Sequence, residues 1–176
     1  MNWSYSIGRV TEAAQQLISE ANSRDLRQLY KTRELYLYEC PDFDELKGMY
    51  AQVDGRRCVF IKSNLPQDLR ELVLAHELGH DVLHHELLEQ SRIMKEVSYF
   101  DLASTPELEA NLFAATILLE DDNFLEMAEA GYSLEQMAAA LGQCVELLSL
   151  KALILEKQGH KLRLPERYAA DFLLRA

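Results

Sequence analysis

Apolar positions recur every three to four residues through much of this chain and alternate in one stretch, and the switch between the two periods marks out its elements. Val10, Ala13, Ala14, Leu17, Ile18 and Ala21 fall on one face if residues 9–21 are helical, and a shorter helical piece fits 25–30. The period then drops to two. "ELYLYEC", "GMYAQVD" and "RRCVFIKS" are rich in β-branched and aromatic residues, and the last two flank Asp54-Gly55, a strong hairpin signal. That predicts about three strands, closed by the turn-like "SNLP".

Pro66 can open a helix, and Leu69, Leu72, Val73, His76, His80, Leu83 and Leu87 keep one face, so 66–86 is predicted helical. "QSRIMKEVSYFDLAS" has no sustained period and reads as a loop. Ser104 or Thr105, followed by Pro106, starts a helix over 107–120, and helical patterns continue at 124–130, 133–141, 145–158 and 165–174. Sheet first and helices afterwards is an α+β pattern. The expectation is one domain over 1–176, with the sheet and site helices in 1–120 and a helical subdomain in 121–176.

Composition leaves that picture intact. Apolar residues make up 48% and charged residues 27%, ordinary for a globular chain, and no apolar run approaches a membrane span. The start, "MNWSYSIGRVTEAAQQ", lacks a basic region followed by an apolar core, so no signal peptide is expected. Cys40, Cys58 and Cys144 are odd in number and widely spaced, which argues against a disulfide framework and for a reducing cytoplasm. The formal charge of −11 is uneven: residues 101–150 hold ten acids and no Lys or Arg. Such a surface repels phosphate, so nucleic acid is not an expected partner.

Four of the five histidines lie within residues 76–85, in "HELGHDVLHH". "HELGH" is H-E-x-x-H, and helical residues advance about 100° each, so His76 and His80 stand one turn apart on one face. Two imidazoles placed that way can bind one Zn²⁺. Glu77 sits beside them, positioned to take a proton from the water that the metal activates. Gly79 is expected to leave space near the metal, His84 to support the site or the helix end, and His85 to face solvent.

A catalytic zinc needs a third protein ligand. The extended template H-E-x-x-H-x-x-G-x-x-H fails here, because Leu83 and Glu86 occupy its last two fixed positions. The ligand is therefore expected from a later helix, where "TPELEANLFAATILL" offers Glu107 and Glu109. Glu107 could instead close a capping box with Ser104, and Glu109 could complement the helix dipole.

At this point the chain resembles the ImmA/IrrE metallo-endopeptidases, gluzincin-like members of the zincin group. The residues that carry the resemblance are Gly48, "RRCVFIKSNLP", Ala75–His80 with His84, and "ELEANLFAATILL". Where the family often continues with Met-Pro, Leu119 here is followed by Glu120 and Asp121. The resemblance implies a zincin-like fold with a small, mainly antiparallel sheet and a cytoplasmic, zinc-dependent endopeptidase. Its substrate would be a helix-turn-helix repressor of a prophage or mobile element. Gluzincins place a polar residue four positions after the third ligand, and Asn111 fits that from Glu107. Glu107 also shares its face with Ala110, Asn111, Ala114 and Leu118, where the small residues would allow close approach, while Glu109 falls on the face of Phe113 and Thr116, which could equally be buried. The expected site is thus His76, His80 and Glu107 on zinc, with Glu77 as general base.

Further expectations attach to that reading. The strand 56–62 would take extended substrate if it proves to be an edge, and Tyr99 is a candidate for oxyanion stabilisation. Ala138 and Gly142 are spaced as in a helix-turn-helix, but 145–154 carries Glu146 and Lys151 with no Arg, Asn or Gln to read bases. Packing or repressor docking is expected there. The rival to an enzyme is a catalytically silent zincin-like regulator that binds a repressor or antitoxin without cutting it.

Overall fold

A computed structural model describes residues 3–91, 93–96 and 104–164. Helix α1 (Trp3–Ala21) starts earlier than the apolar period suggests, because Ser6 and Gly8 dilute the signal although Ile7 lies on the face of Val10, Ala14 and Leu17. Helix α2 (Leu26–Thr32) is capped by the Asp25 side chain, which accepts from Gln28 N–H at 3.1 Å. Strands β1 (Tyr36–Cys40), β2 (Gly48–Val53) and β3 (Arg56–Lys62) follow. Asp54 and Gly55 have φ of 50° and 77°, the left-handed pair that a two-residue hairpin between β2 and β3 requires.

Helix α3 (Gln67–Ser91) runs five residues past the expected end, and β4 (Ile93–Glu96) falls in the stretch that reads as a loop. The strand's residues, Ile93, Met94, Lys95 and Glu96, run two apolar and then two polar and so show no alternation. Its partner is β2, more than forty residues earlier, with Gly48 opposite Glu96 and Ala51 opposite Ile93. The sheet order is β1-β3-β2-β4, antiparallel at β3-β2 and β2-β4 and parallel at β1-β3. Strand β3 is therefore interior, with both edges hydrogen-bonded, and cannot accept an added strand. The expected substrate edge at 56–62 is thereby corrected.

Helix α4 (Thr105–Leu118) packs against α3, α1 and α7, and every residue from Leu108 to Ile117 is buried. Its last carbonyls are met by Arg24 Nη1, at 2.9 Å from Thr116 O and 3.2 Å from Ile117 O. That contact, rather than a following proline, finishes the helix. Helices α5 (Asp121–Glu129), α6 (Leu134–Leu141) and α7 (Val145–Lys157) complete the described chain. One apolar cluster runs from Ile7 and Val10 through Val59, Leu78 and Phe113 to Leu148 and Leu155. The helix expected at 165–174, and Tyr99, lie outside the described residues.

The bend between α6 and α7 is 114°, within the range of a helix-turn-helix. However, Leu147, Leu148, Ser149, Leu150, Lys151 and Ala152 of α7 are buried, so no base-reading face is presented. Lys151 is fully buried and pairs with Asp121 at the start of α5. Among the described residues, no single helix is long and apolar enough to cross a membrane.

Candidate metal centre

Helices α3 and α4 build the centre by close approach. A Cβ on Gly79 would stand 3.0 Å from Ala110 Cα and 3.2 Å from Phe113 Cβ. The space left by this glycine is thus filled by the backbone of α4, not by the region around a metal, which corrects the expectation for Gly79. The close fit lets α4 lay Glu107 across the two histidines of α3.

His76 Nε2 lies 3.2 Å from Glu107 Oε2, His80 Nε2 lies 3.5 Å from Glu107 Oε1, and the two Nε2 atoms are 3.0 Å apart. The imidazoles stand almost edge to face, with planes 80° apart. Both are essentially fully buried, whereas the Glu107 side chain is 23% exposed. Ser104 still caps α4 by accepting from Glu107 N–H, but the Glu107 carboxylate is turned to the histidines rather than back to the cap.

The proton positions follow from the partners. Asn111 Oδ1 can only accept, so His76 Nδ1, 3.0 Å away, donates to it and leaves the lone pair on Nε2. On the other side His84 Nε2 lies 2.9 Å from Glu109 Oε2. Burial raises the Glu109 pKa, but hydrogen bonds from His84, Ser6 and Arg9 outweigh it and hold the carboxyl below its usual range. An ionised Glu109 can only accept, so neutral His84 carries its proton on Nε2 and accepts at Nδ1 from His80 Nδ1–H, 3.3 Å away. His80 is left with its lone pair on Nε2. Burial pushes its pKa down to about 4, with the Glu107 hydrogen bond opposing, so it is neutral near pH 7.

Two lone pairs and a carboxylate therefore converge on one point, an arrangement that calls for a cation. Ligands about 2.0–2.1 Å from a tetrahedral zinc stand roughly 3.3 Å from one another. The observed separations of 3.0, 3.2 and 3.5 Å bracket that value, so the residues fit the metal. Among the described residues these three side chains form the group able to hold a metal ion.

Glu77 is fully buried on α3 between the two histidines in sequence. Its charge is felt at the Tyr30 phenol, which burial first and then Glu77 hold well above the usual range, and whose hydroxyl donates to Leu74 O at 2.8 Å. The structure places Glu109 elsewhere than a dipole-complementing surface: it is buried between His84 and Arg9. His85 is exposed, as expected.

The sequence reading missed Asp81. It is fully buried next to His80 and receives Arg33 Nε at 2.7 Å, Tyr50 OH at 2.8 Å and Arg57 Nη1 at 3.0 Å. These bonds fasten α3 to the end of α2 and to two central strands. Little in the sequence marks it, because Asp81 shares its helical face with Glu77, His84 and His85 as well as Leu74 and Leu78 and reads as one more polar residue of the cluster.

Residues 34–152 match the model of a peptidase family described as "IrrE N-terminal-like domain", and the chain belongs to that family. It is also similar to "Uncharacterized immunity region protein 2" of Bacillus phage phi105, with 35% identity over 109 residues, 62% of this chain and 67% of that one.

Proposed function

We propose that the chain is a zinc-dependent endopeptidase, with His76, His80 and Glu107 holding the metal and Glu77 acting as general base. The single observation that carries this reading is the convergence of two histidine lone pairs and one carboxylate at separations that suit tetrahedral zinc. Zinc is the favoured ion because the donor set is two imidazoles and a carboxylate, the set of several catalytic zinc sites. When bound, it would supply Lewis acidity, lowering the pKa of a water and polarising a peptide carbonyl.

The chain's own residues supply the rest. Asn111 holds the His76 ring through Nδ1, and His84 holds the His80 ring in the same way. Glu77 accepts a proton from water as its oxygen bonds to the amide carbon. It then returns that proton to the amide nitrogen as the carbon–nitrogen bond breaks. Burial of Glu77 keeps bulk water from competing for its oxygens.

The substrate in this reading is a helix-turn-helix repressor, in the cytoplasm, as the resemblance to ImmA/IrrE peptidases implies. The similarity to a phage immunity-region protein supports that setting, and the three free cysteines suit a reducing compartment. Co-expression with the repressor encoded nearest the gene tests the proposal. Wild-type protein should cleave it, and Glu77→Gln should retain zinc yet lose cleavage by about 10²-fold or more. Cleavage by Glu77→Gln at the wild-type rate would overturn the mechanism. A complex without any cleaved band would favour the silent regulator.

A further inference from the structure

The family match begins at residue 34, so α1 lies ahead of it, yet α1 reaches the second layer of the metal centre. Arg9 pairs with Glu109 Oε2, the oxygen that also receives His84 Nε2. Ser6, one turn earlier on α1 and 4% exposed, hydrogen-bonds the same carboxylate. Glu109 is 3% exposed and His84 5%, so the path from Arg9 to His80 is closed to water along its inner links. Only Arg9 stands at the surface, its side chain 39% exposed.

We propose that Ser6 and Arg9 of α1 are positioning residues for the metal: through Glu109 and His84 they fix the ring plane and proton placement of His80. The chain of contacts is Arg9 to Glu109 Oε2, Glu109 Oε2 to His84 Nε2, His84 Nδ1 to His80 Nδ1, and His80 Nε2 to the centre. Each link has one sense. The guanidinium and the Ser6 hydroxyl hold the carboxylate in one orientation, and that carboxylate fixes which nitrogen of His84 bears hydrogen. His84 can then only accept from His80 Nδ1–H, which leaves His80 Nε2 as the donor to the metal. A partner or segment that moved α1 would thus alter metal affinity without touching a ligand. His76 is instead held from α4, where its Nδ1 meets Asn111 Oδ1.

This inference rests on the zinc reading, and the experiment separates the two. Zinc affinity of the full chain is measured by competition with a chromophoric chelator, and Co²⁺-loaded protein gives the visible ligand-field spectrum. Glu109→Gln and His84→Leu should each weaken zinc by about 10–100-fold, and Arg9→Ala by several-fold, with a shifted cobalt spectrum in all three. Arg9→Lys should recover most of the loss. Thr11→Val, on α1 but with its hydroxyl bonded among the described residues to its own helix at Ile7 O and Gly8 O, should leave affinity and spectrum unchanged. Arg9 is partly exposed and His84 and Ser6 still bond Glu109 without it, so Arg9→Ala should stay folded, which its far-UV circular dichroism checks. Wild-type affinity and spectrum in both Arg9→Ala and Glu109→Gln, with zinc still lost in His80→Ala, would overturn the role of α1 alone. Wild-type protein that binds no zinc would overturn the metal reading and this inference together.

Discussion

Glu107 and Glu109 stand two positions apart on α4, about 200° around an ideal helix, and the structure gives them different partners. Glu107 faces the two Nε2 atoms, while Glu109 faces His84 and Arg9. Removing Glu107 should therefore weaken zinc by more than about 100-fold, beyond the ~10–100-fold usual for an outer partner such as Glu109. Chelator competition on Glu107→Ala and Glu109→Ala gives the order, and a greater loss in Glu109→Ala would reverse the assignment. His80 carries a pH effect in metal-free protein. Its folded pKa, near 4, lies below the ordinary value of 6.5, so the unfolded chain takes up this proton first as pH falls. The neutral buried ring contributes its full stability above about pH 6.5 and loses it progressively towards pH 4, roughly 3 kcal/mol in total. Urea melts of chelator-treated protein should show the midpoint falling across that window, and His80→Gln should flatten the slope. Equal slopes in the two proteins would contradict it.

At the scale of elements, the centre depends on how closely α3 and α4 approach. Gly79→Ala gains up to about 1 kcal/mol of helix propensity but forces a methyl to 3.0 Å from Ala110 Cα, a backbone atom that cannot swing aside. Overpacking of this kind costs about 1–3 kcal/mol, so the net change should be destabilising. Because α4 carries Glu107, the shift should also weaken zinc. Thermal melts and chelator competition on Gly79→Ala should both move; a variant more stable than wild type with unchanged zinc affinity would show that the helices can part without harm. On the other flank, Asp81 ties α3 to Arg33, Tyr50 and Arg57. The turn that carries His80 is thus held between a sheet and a helix.

Over the whole molecule the acidic balance decides which partners can approach. With a net charge of −11, and no base between residues 101 and 150, phosphate finds little to neutralise it. Helices α6 and α7 meet at a helix-turn-helix angle, but α7 spends its length in the core. A gel shift of the isolated protein on operator DNA at physiological salt should show no retarded band, and sequence-specific retardation would mean that a base-reading surface exists after all.

Local rules were enough for the hairpin, since Asp54-Gly55 set its turn, and for the helix that pairs His76 with His80, since H-E-x-x-H at one-turn spacing needs nothing beyond helix geometry. The α+β order and the exposed His85 were legible for similar reasons, whereas the choice of Glu107 over Glu109 rests on the resemblance to gluzincins and the residues that share its face. Strand β4 was not, because four residues make a strand only when a distant edge is offered, here that of β2. The interior place of β3 came from β1 joining it in parallel, a pairing without local signal. Glu109 looked like a surface acid near a helix start until packing set α1 beside it, and Asp81 gained its purpose from two arginines far away in sequence. The sequence by itself determined that His76, Glu77 and His80 stand together, because their spacing lies within one helix. Tertiary structure alone decided what supports them, because those partners come from elements that meet only when the core closes.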